Sequence, residues 1–246
     1  MSYSGYIDTI CSFLENFHGP AVLEIGVDKG SSLFPIVNYL TMVTSSPDYL
    51  PQKFYFVGID VLLRESVKIT ASLINKSIFT AEDPTDNRVK NKNIGFVELR
   101  ENLSTKAMSD FLQEGWANRF HVIMIDGDHN YQTVSQELEL AKKLIHPSGF
   151  IICDDYGGKG GEQDEFFSET TGFYGQEEIN ENIKNLLKRE DVLDHTKKGV
   201  KLAVDEFLEQ SEGWKKTITP YEPVILSRDN IRFDFSYKDM YPSVKK

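Results

Sequence analysis

Five short, almost wholly apolar runs constrain this chain more than any other feature: Ala21-Val22-Leu23-Glu24-Ile25, Phe54-Tyr55-Phe56-Val57-Gly58-Ile59, Phe96-Val97-Glu98-Leu99, His121-Val122-Ile123-Met124-Ile125 and Gly149-Phe150-Ile151-Ile152-Cys153. Each is too short for a helix, and between them lie segments with helical periodicity. Tyr6, Ile7, Ile10, Phe13, Leu14 and Phe17 share one helical face before the first run. A helix from Ser31 to about Val43 follows it, with Pro35 in the first turn, where a missing N–H costs little. Further helices are expected from beyond Asp60 through Ile74 and near Ser104–Leu112. The clearest helix carries Tyr131, Val134, Leu138, Ala141 and Ile145 on one stripe, and Pro147 stops it.

Strands that are apolar throughout, rather than on alternate residues, are buried on both faces, which is the signature of a parallel sheet between two helical layers. Glu222–Ser227 and Ile231–Tyr237, joined across Arg228-Asp229-Asn230, are expected to pair as an antiparallel hairpin on the sheet edge. The expectation is an α/β fold: a Rossmann-like, doubly wound, mostly parallel seven-stranded sheet with an antiparallel C-terminal hairpin, in a single domain over residues 1–246. Such a sheet binds ligands at the carboxyl ends of its strands.

Composition narrows the function classes. With 40% hydrophobic residues the chain is no disordered acidic protein. Its 27 Lys+Arg against 38 Asp+Glu leave a net charge of −11, which argues against a nucleic-acid or membrane-surface binder. Met1–Asp8 has no basic n-region, and no apolar stretch approaches the ~20 residues of a membrane span, so a cytoplasmic location is expected. Cys11 and Cys153 read as reduced core thiols, and the five histidines show no zinc-ligand spacing with them.

The turn after the first run, Glu24-Ile25-Gly26-Val27-Asp28-Lys29-Gly30-Ser31, sets an acid at a strand end and glycines four apart before a helix that Ser31 or Ser32 can cap. The position two after Gly26 is Asp28, so the G-x-G-x-x-G of dinucleotide binders is absent and a nicotinamide dehydrogenase is disfavoured. Asp60, ending the second run, is placed to take both hydroxyls of a ribose. On these residues the chain resembles the class I S-adenosylmethionine-dependent methyltransferases, whose first motif is an acid, an aliphatic residue and Gly-x-x-x-Gly. The resemblance implies that Glu24 and Gly26 lie along the amino-acid end of the cofactor. Asp28 replaces the usual middle glycine, a departure shared by some small-molecule O-methyltransferases. On the adenine side Glu101, Asn102 and Ser104 are candidates, with Asn102 favoured. The expected cofactor-binding set is thus Glu24, Gly26, Gly30, Ser31, Asp60, Asn102 and Asp126.

Asp126-Gly127-Asp128-His129-Asn130-Tyr131 and Asp154-Asp155-Tyr156 end the fourth and fifth runs. Four carboxylates on one rim repel one another unless a cation sits among them, and hard oxygen ligands favour Mg²⁺, Mn²⁺ or Ca²⁺. The other reading is that these acids cap helices and face water. The order of these motifs, with Gly199-Val200-Lys201-Leu202-Ala203-Val204-Asp205-Glu206-Phe207 further on, is similar to the macrocin O-methyltransferase group. That resemblance implies that Asp126, Asp154 and Asp155 bind the metal and Asp128 is the general base, with His129 the rival base.

Residues 157–198 do not fit that group. They open with Gly157-Gly158-Lys159-Gly160-Gly161 and continue to an expected amphipathic helix near Gln176–Arg189, with Ile179, Ile183, Leu186 and Leu187 on one face. The stretch reads as a lid-like insertion or as a surface insertion that only packs; Phe166, Phe167, Phe173 and Tyr174 either wall a pocket or fill its own core. Between Glu162 and Glu181 stand seven acids and no Lys or Arg, which points to a neutral or cationic acceptor. The expected function is a divalent-metal-assisted O-methyltransferase acting on a sugar or phenol hydroxyl with S-adenosylmethionine and Mg²⁺, with a homo-oligomer possible. The alternatives are a metal-independent N- or O-methyltransferase and a catalytically silent nucleoside-binding module.

Overall fold

A computed structural model of the chain describes residues 4–45, 53–80, 95–157, 160–164, 196–219 and 223–231. In order, the elements are α1 (Ser4–Leu14), β1 (Ala21–Ile25), α2 (Leu33–Thr44), β2 (Phe54–Asp60), α3 (Glu65–Thr80), β3 (Gly95–Glu101), α4 (Ser104–Gln113), β4 (Phe120–Ile125), α5 (Tyr131–Leu144) and β5 (Ile145–Cys153). A short 3₁₀ turn (Gly160–Glu162), α6 (Gly199–Gln210), β6 (Trp214–Ile218) and β7 (Val224–Arg228) complete them. The strands form one seven-stranded sheet in the order β3-β2-β1-β4-β5-β7-β6. The first five strands are parallel, and β7 and β6 are antiparallel to their neighbours.

Successive residues of each strand enter opposite layers, as the two-residue period of a strand requires. Leu23, Val57, Ile123 and Ile151 pack under α4, α5 and α6, while Val22, Phe56, Val122, Met124, Phe150 and Ile152 pack under α1, α2 and α3. The order reverses between β1 and β4, so the carboxyl ends of these two strands frame the crevice where such sheets take ligands. The expected α/β fold class is thus the one observed. No helix among the described residues is long and apolar enough to cross a membrane.

Two expectations are corrected. The partner of β7 in the hairpin is β6, not 231–237, and residues 232–237 lie outside the described ones. β6 reads Trp-Lys-Lys-Thr-Ile and forms the sheet edge; charged edge strands resist pairing with other chains, and for the same reason they carry no apolar run. β5 starts at Ile145 rather than Gly149, because its pairing with β4 shifts register between Phe120 and Val122. Gly149 sits at that irregularity, where a Cβ would lie 2.6 Å from the His121 carbonyl oxygen. The expected amphipathic helix near Gln176–Arg189 and the aromatics Phe166, Phe167, Phe173 and Tyr174 lie outside the described residues.

At the amino end of the sheet, far from the crevice, His121 Nδ1 accepts the Ala21 N–H at 3.1 Å, and its ring stacks on His146 with centroids 4.7 Å apart. Burial, with His146 adding to it, pushes the His121 pKa down to about 4. The folded chain therefore resists a proton that the unfolded chain accepts near pH 6.5. Stability from this group is complete above pH 6.5 and drains away as pH falls toward 4, by at most ~1.4 kcal/mol per pH unit. His121→Asn keeps an acceptor for Ala21 without titrating. Urea-unfolding midpoints should therefore fall less steeply for this variant than for wild type between pH 6.5 and 4.

Candidate functional site

β1 ends in the crevice with Glu24 only 1% exposed. The Ser32 hydroxyl, at the start of α2, donates to Glu24 Oε1, while Glu24 Oε2 is buried without a partner among the described residues. Burial pushes the Glu24 pKa up to about 8; Ser32 opposes the rise, and Asp126 and Asp60 add to it. A buried carboxylate oxygen left open in a crevice is a seat for a ligand cation such as an ammonium.

Gly26 has φ +85°, donates its N–H to the Ile59 carbonyl at 2.9 Å, and has no room for a side chain: a Cβ would stand 1.8 Å from the Asp126 carbonyl oxygen. Gly30, at φ +74°, closes the turn by donating to the Val27 carbonyl at 2.7 Å. Ser31 is exposed on that turn. Ser32 holds the N-cap position of α2, but its hydroxyl serves Glu24 instead of capping the helix.

Asp28, where a middle glycine was expected, takes the left-handed conformation at φ +42°. Its N–H donates to Asp60 Oδ2 at 2.9 Å, and its carboxylate receives Arg64 Nε at 2.7 Å. Asp60 is 6% exposed and also accepts the Leu62 N–H at 3.0 Å; burial raises its pKa. The Asn102 N–H donates to the Asp60 carbonyl at 2.9 Å, which sets Asn102 beside the β2 end. Glu101 is committed elsewhere, to the Leu63 N–H at 3.3 Å and to Lys68 at 2.7 Å. Ser104 opens α4.

On the β4 and β5 side, the Asp126 N–H donates to Ile25 and the Asp154 N–H to Ile125, both at 3.0 Å, so the sheet's bonding runs one residue past the strand ends. His129 is the centre of this rim. Its Nδ1 lies 2.6 Å from Asp155 Oδ2 and its Nε2 3.2 Å from Asp126 Oδ1. Burial disfavours its charge, but the bonds to Asp126 and Asp155 outweigh burial and raise its pKa to about 10. The Asp154 pKa is also raised, up to about 7, by burial and then by Asp126 and Asp155, which for a carboxyl favours the neutral form. Asp155 adopts φ +53°, and Asp128 is half-buried on the same turn as Asp126.

The four acids are thus brought to one rim. Among the described residues no three His, Cys, Asp or Glu side chains already stand around one point at metal-ligand spacing, since His129 is seated on two of the carboxylates. The donor chemistry nonetheless suits a hard divalent cation. All three expected ligands offer carboxylate oxygens, and Asp154 is raised by burial first and then by its neighbours Asp126 and Asp155.

Sequence reasoning missed three contacts here: Ser32 on Glu24, Arg64 on Asp28, and Asp164, whose Oδ1 accepts the N–H of Tyr131 at 2.9 Å and of Gly199 at 2.7 Å. The contacts of Arg64 and Asp164 carry no local signal, because each joins residues more than thirty positions apart, and Ser32 was legible only as a cap of the helix it opens.

Comparisons with known proteins bear on the family and the fold. A family model described as a methyltransferase domain matches residues 23–156, more than half of the chain. The fold is similar to that of a Corynebacterium glutamicum protein, with a TM-score of 0.51 and 11% identity over 93% of this chain and 81% of that one. It is also similar to the calicheamicin methyltransferase CalS11, with a TM-score of 0.53 and 11% identity over 90% of this chain and 76% of that one. No curated protein matches the sequence.

Glu24 generates a test independent of any ligand. A carboxyl whose folded pKa stands near 8 against an ordinary 4.5 contributes stability below pH 4.5 that is lost as pH rises through 8. Glu24→Gln removes this loss. Its thermal midpoint relative to wild type should therefore improve between pH 5 and pH 9, as read by calorimetry.

Proposed function

Because the chain belongs to the methyltransferase-domain family, we propose that it transfers the methyl group of S-adenosylmethionine to a hydroxyl of a small sugar- or phenol-type molecule. The observation that carries the reading is the juxtaposition at one crevice of an open, buried Glu24 carboxylate oxygen with the Asp126/Asp128 turn of the next strand. In this reading Glu24 holds the ammonium of the cofactor, Asp60 its ribose hydroxyls, and Asn102 borders its adenine. Gly26 and Gly30 let the backbone approach it, with Ser31 at the turn's outer edge.

Asp128 takes the proton of the acceptor hydroxyl as general base. His129 is the weaker candidate, because both ring nitrogens face carboxylates and its pKa of about 10 keeps it protonated. The acceptor oxygen then forms a bond to the methyl carbon as the carbon–sulfur bond breaks, and the electron pair leaves with the sulfur. The chain's main contribution is to hold oxygen and methyl group in line. Asp126, Asp154 and Asp155 would hold a hard divalent cation such as Mg²⁺, which when bound supplies a Lewis acid for the hydroxyl. Acid-rich surroundings favour a neutral or cationic acceptor.

One observation favours a second reading, a metal-independent N- or O-methyltransferase: His129 already supplies a cation to Asp126 and Asp155.

Calorimetric titration should show S-adenosylhomocysteine binding, weakened at least ~10-fold by Glu24→Gln, in line with the loss of a charge-assisted bond. In an acceptor panel Asp128→Asn should lower kcat by ~10²-fold or more with cofactor affinity held within about twofold. Turnover abolished by EDTA and restored by Mg²⁺ supports the metal-assisted form. EDTA-insensitive turnover, unchanged in Asp154→Asn, leaves the second reading. Cofactor binding with no turnover across the panel would indicate a silent module.

A further inference from the structure

Helix α6 carries two adjacent acids, Asp205 and Glu206, and each receives the hydroxyl of a tyrosine that directly follows one acid-bearing turn. The Tyr131 hydroxyl, one residue past Asp128-His129-Asn130, donates to Glu206 Oε2 at 2.5 Å. Lys197 donates to the same carboxylate at 2.9 Å and to the tyrosine oxygen at 3.1 Å. The Tyr156 hydroxyl, next to Asp154-Asp155, donates to Asp205 at 2.9 Å, and Lys216 reaches both oxygens at 2.5 Å. Adjacent helical residues point about 100° apart, so such a pair lets one helix serve two different neighbours.

The helix offering these acids is itself fixed. Val200, Ala203, Val204 and Phe207 are buried in the core, and Asp164 joins the first N–H of α6 to the first N–H of α5. Both lysines are about a third exposed, and ion pairs of that kind contribute little to stability. Duplicating the arrangement at both acid turns therefore points to orientation.

We infer that Asp205 and Glu206 are positioning residues that fix the spacing between the Asp126–Asp128 turn and the Asp154–Asp155 turn. The anchoring is read from the structure alone; that the spacing serves methyl transfer rests on the function proposed above. Each acid acts through its tyrosine.

Hydrogen exchange followed by mass spectrometry tests this on Glu206→Gln, Asp205→Asn, the pair together, and Lys201→Met, a change on the same helix that breaks an ion pair with Glu162 of the 3₁₀ turn and serves as control. Glu206→Gln should speed exchange at least fivefold in residues 126–131 only, and Asp205→Asn in residues 154–157 only. The control should speed neither, and the midpoint of unfolding should stay within a few degrees. Tyr131→Phe and Tyr156→Phe should reproduce the same two patterns, with no further effect when each is combined with its acid's variant. With an acceptor from the panel, the double acid variant should lower kcat about tenfold while KM for S-adenosylmethionine holds. Unchanged exchange in both turns, exchange raised evenly across the sheet, or an unchanged kcat overturns the inference. Failure of the wild type to bind S-adenosylhomocysteine overturns the proposed function instead, and leaves the exchange result intact.

Discussion

The tightest approach to a glycine among the described residues is that of the Gly26 backbone to the carbonyl of Asp126, a gap in which a Cβ would have to stand 1.8 Å from oxygen. It couples two things that the chain keeps a hundred residues apart: the turn that receives a ligand and the turn that carries the acids. The parallel register of β1 on β4, Ile25 against Ile125, brings the two turns side by side, and glycine is what lets them close. Every distance at the crevice inherits this contact. A side chain there would push the Asp126–Asp128 turn away from β1 and separate the acids from Glu24.

Electrostatics at the rim follow from the same closeness. Glu24, Asp60 and Asp154 are all shifted upward with burial as the first cause, and Glu24 and Asp154 are raised further by other rim acids. The His129 imidazolium is set against two other acids of the rim, Asp126 and Asp155. Among the described residues of this rim the acids outnumber that one imidazolium, an arrangement that attracts cations and disfavours phosphates. Of the seven acids between Glu162 and Glu181, the two among the described residues are both engaged. Glu162 faces Lys201 at 3.3 Å, and Asp164 is spent capping two helices.

Much of this was legible in the sequence because double-sided burial leaves a strong trace. A strand covered on both faces must be apolar throughout, so β1, β2, β4 and most of β5 announced themselves, and the acids and glycines that ended them fell at the crevice by geometry. β6 escaped because an edge strand bearing Lys215 and Lys216 has no such trace, and the apolar start of β5 was read as helix because Ile145 continued the stripe of α5. Side-chain partnerships were the least legible layer. The i, i+3 step from Asp126 to His129 is visible in the chain, yet the ring's second contact, to Asp155, exists only once β4 and β5 are neighbours. The same holds for Tyr131 with Glu206 and Tyr156 with Asp205, where the helical acids were noticed for the motif they belong to and not for the tyrosines they hold.

The Asp28 position shows how one substitution narrows the ligand class. In a dinucleotide fold the turn after the first strand must offer free backbone N–H groups to a pyrophosphate, with glycine admitting the close approach. Here the Asp28 N–H is bonded to Asp60, and its carboxylate stands on the same turn where that anion would lie. Arg64 neutralises the carboxylate but is itself engaged by it, so it offers a phosphate little. The bond from Asp28 to Asp60 also ties the glycine turn to the acid at the end of β2. In the proposed reading, a ligand spanning from Glu24 to Asp60 meets a continuous surface that takes an ammonium at one end and hydroxyls at the other. A nucleoside with an amino-acid tail satisfies both, and a pyrophosphate satisfies neither.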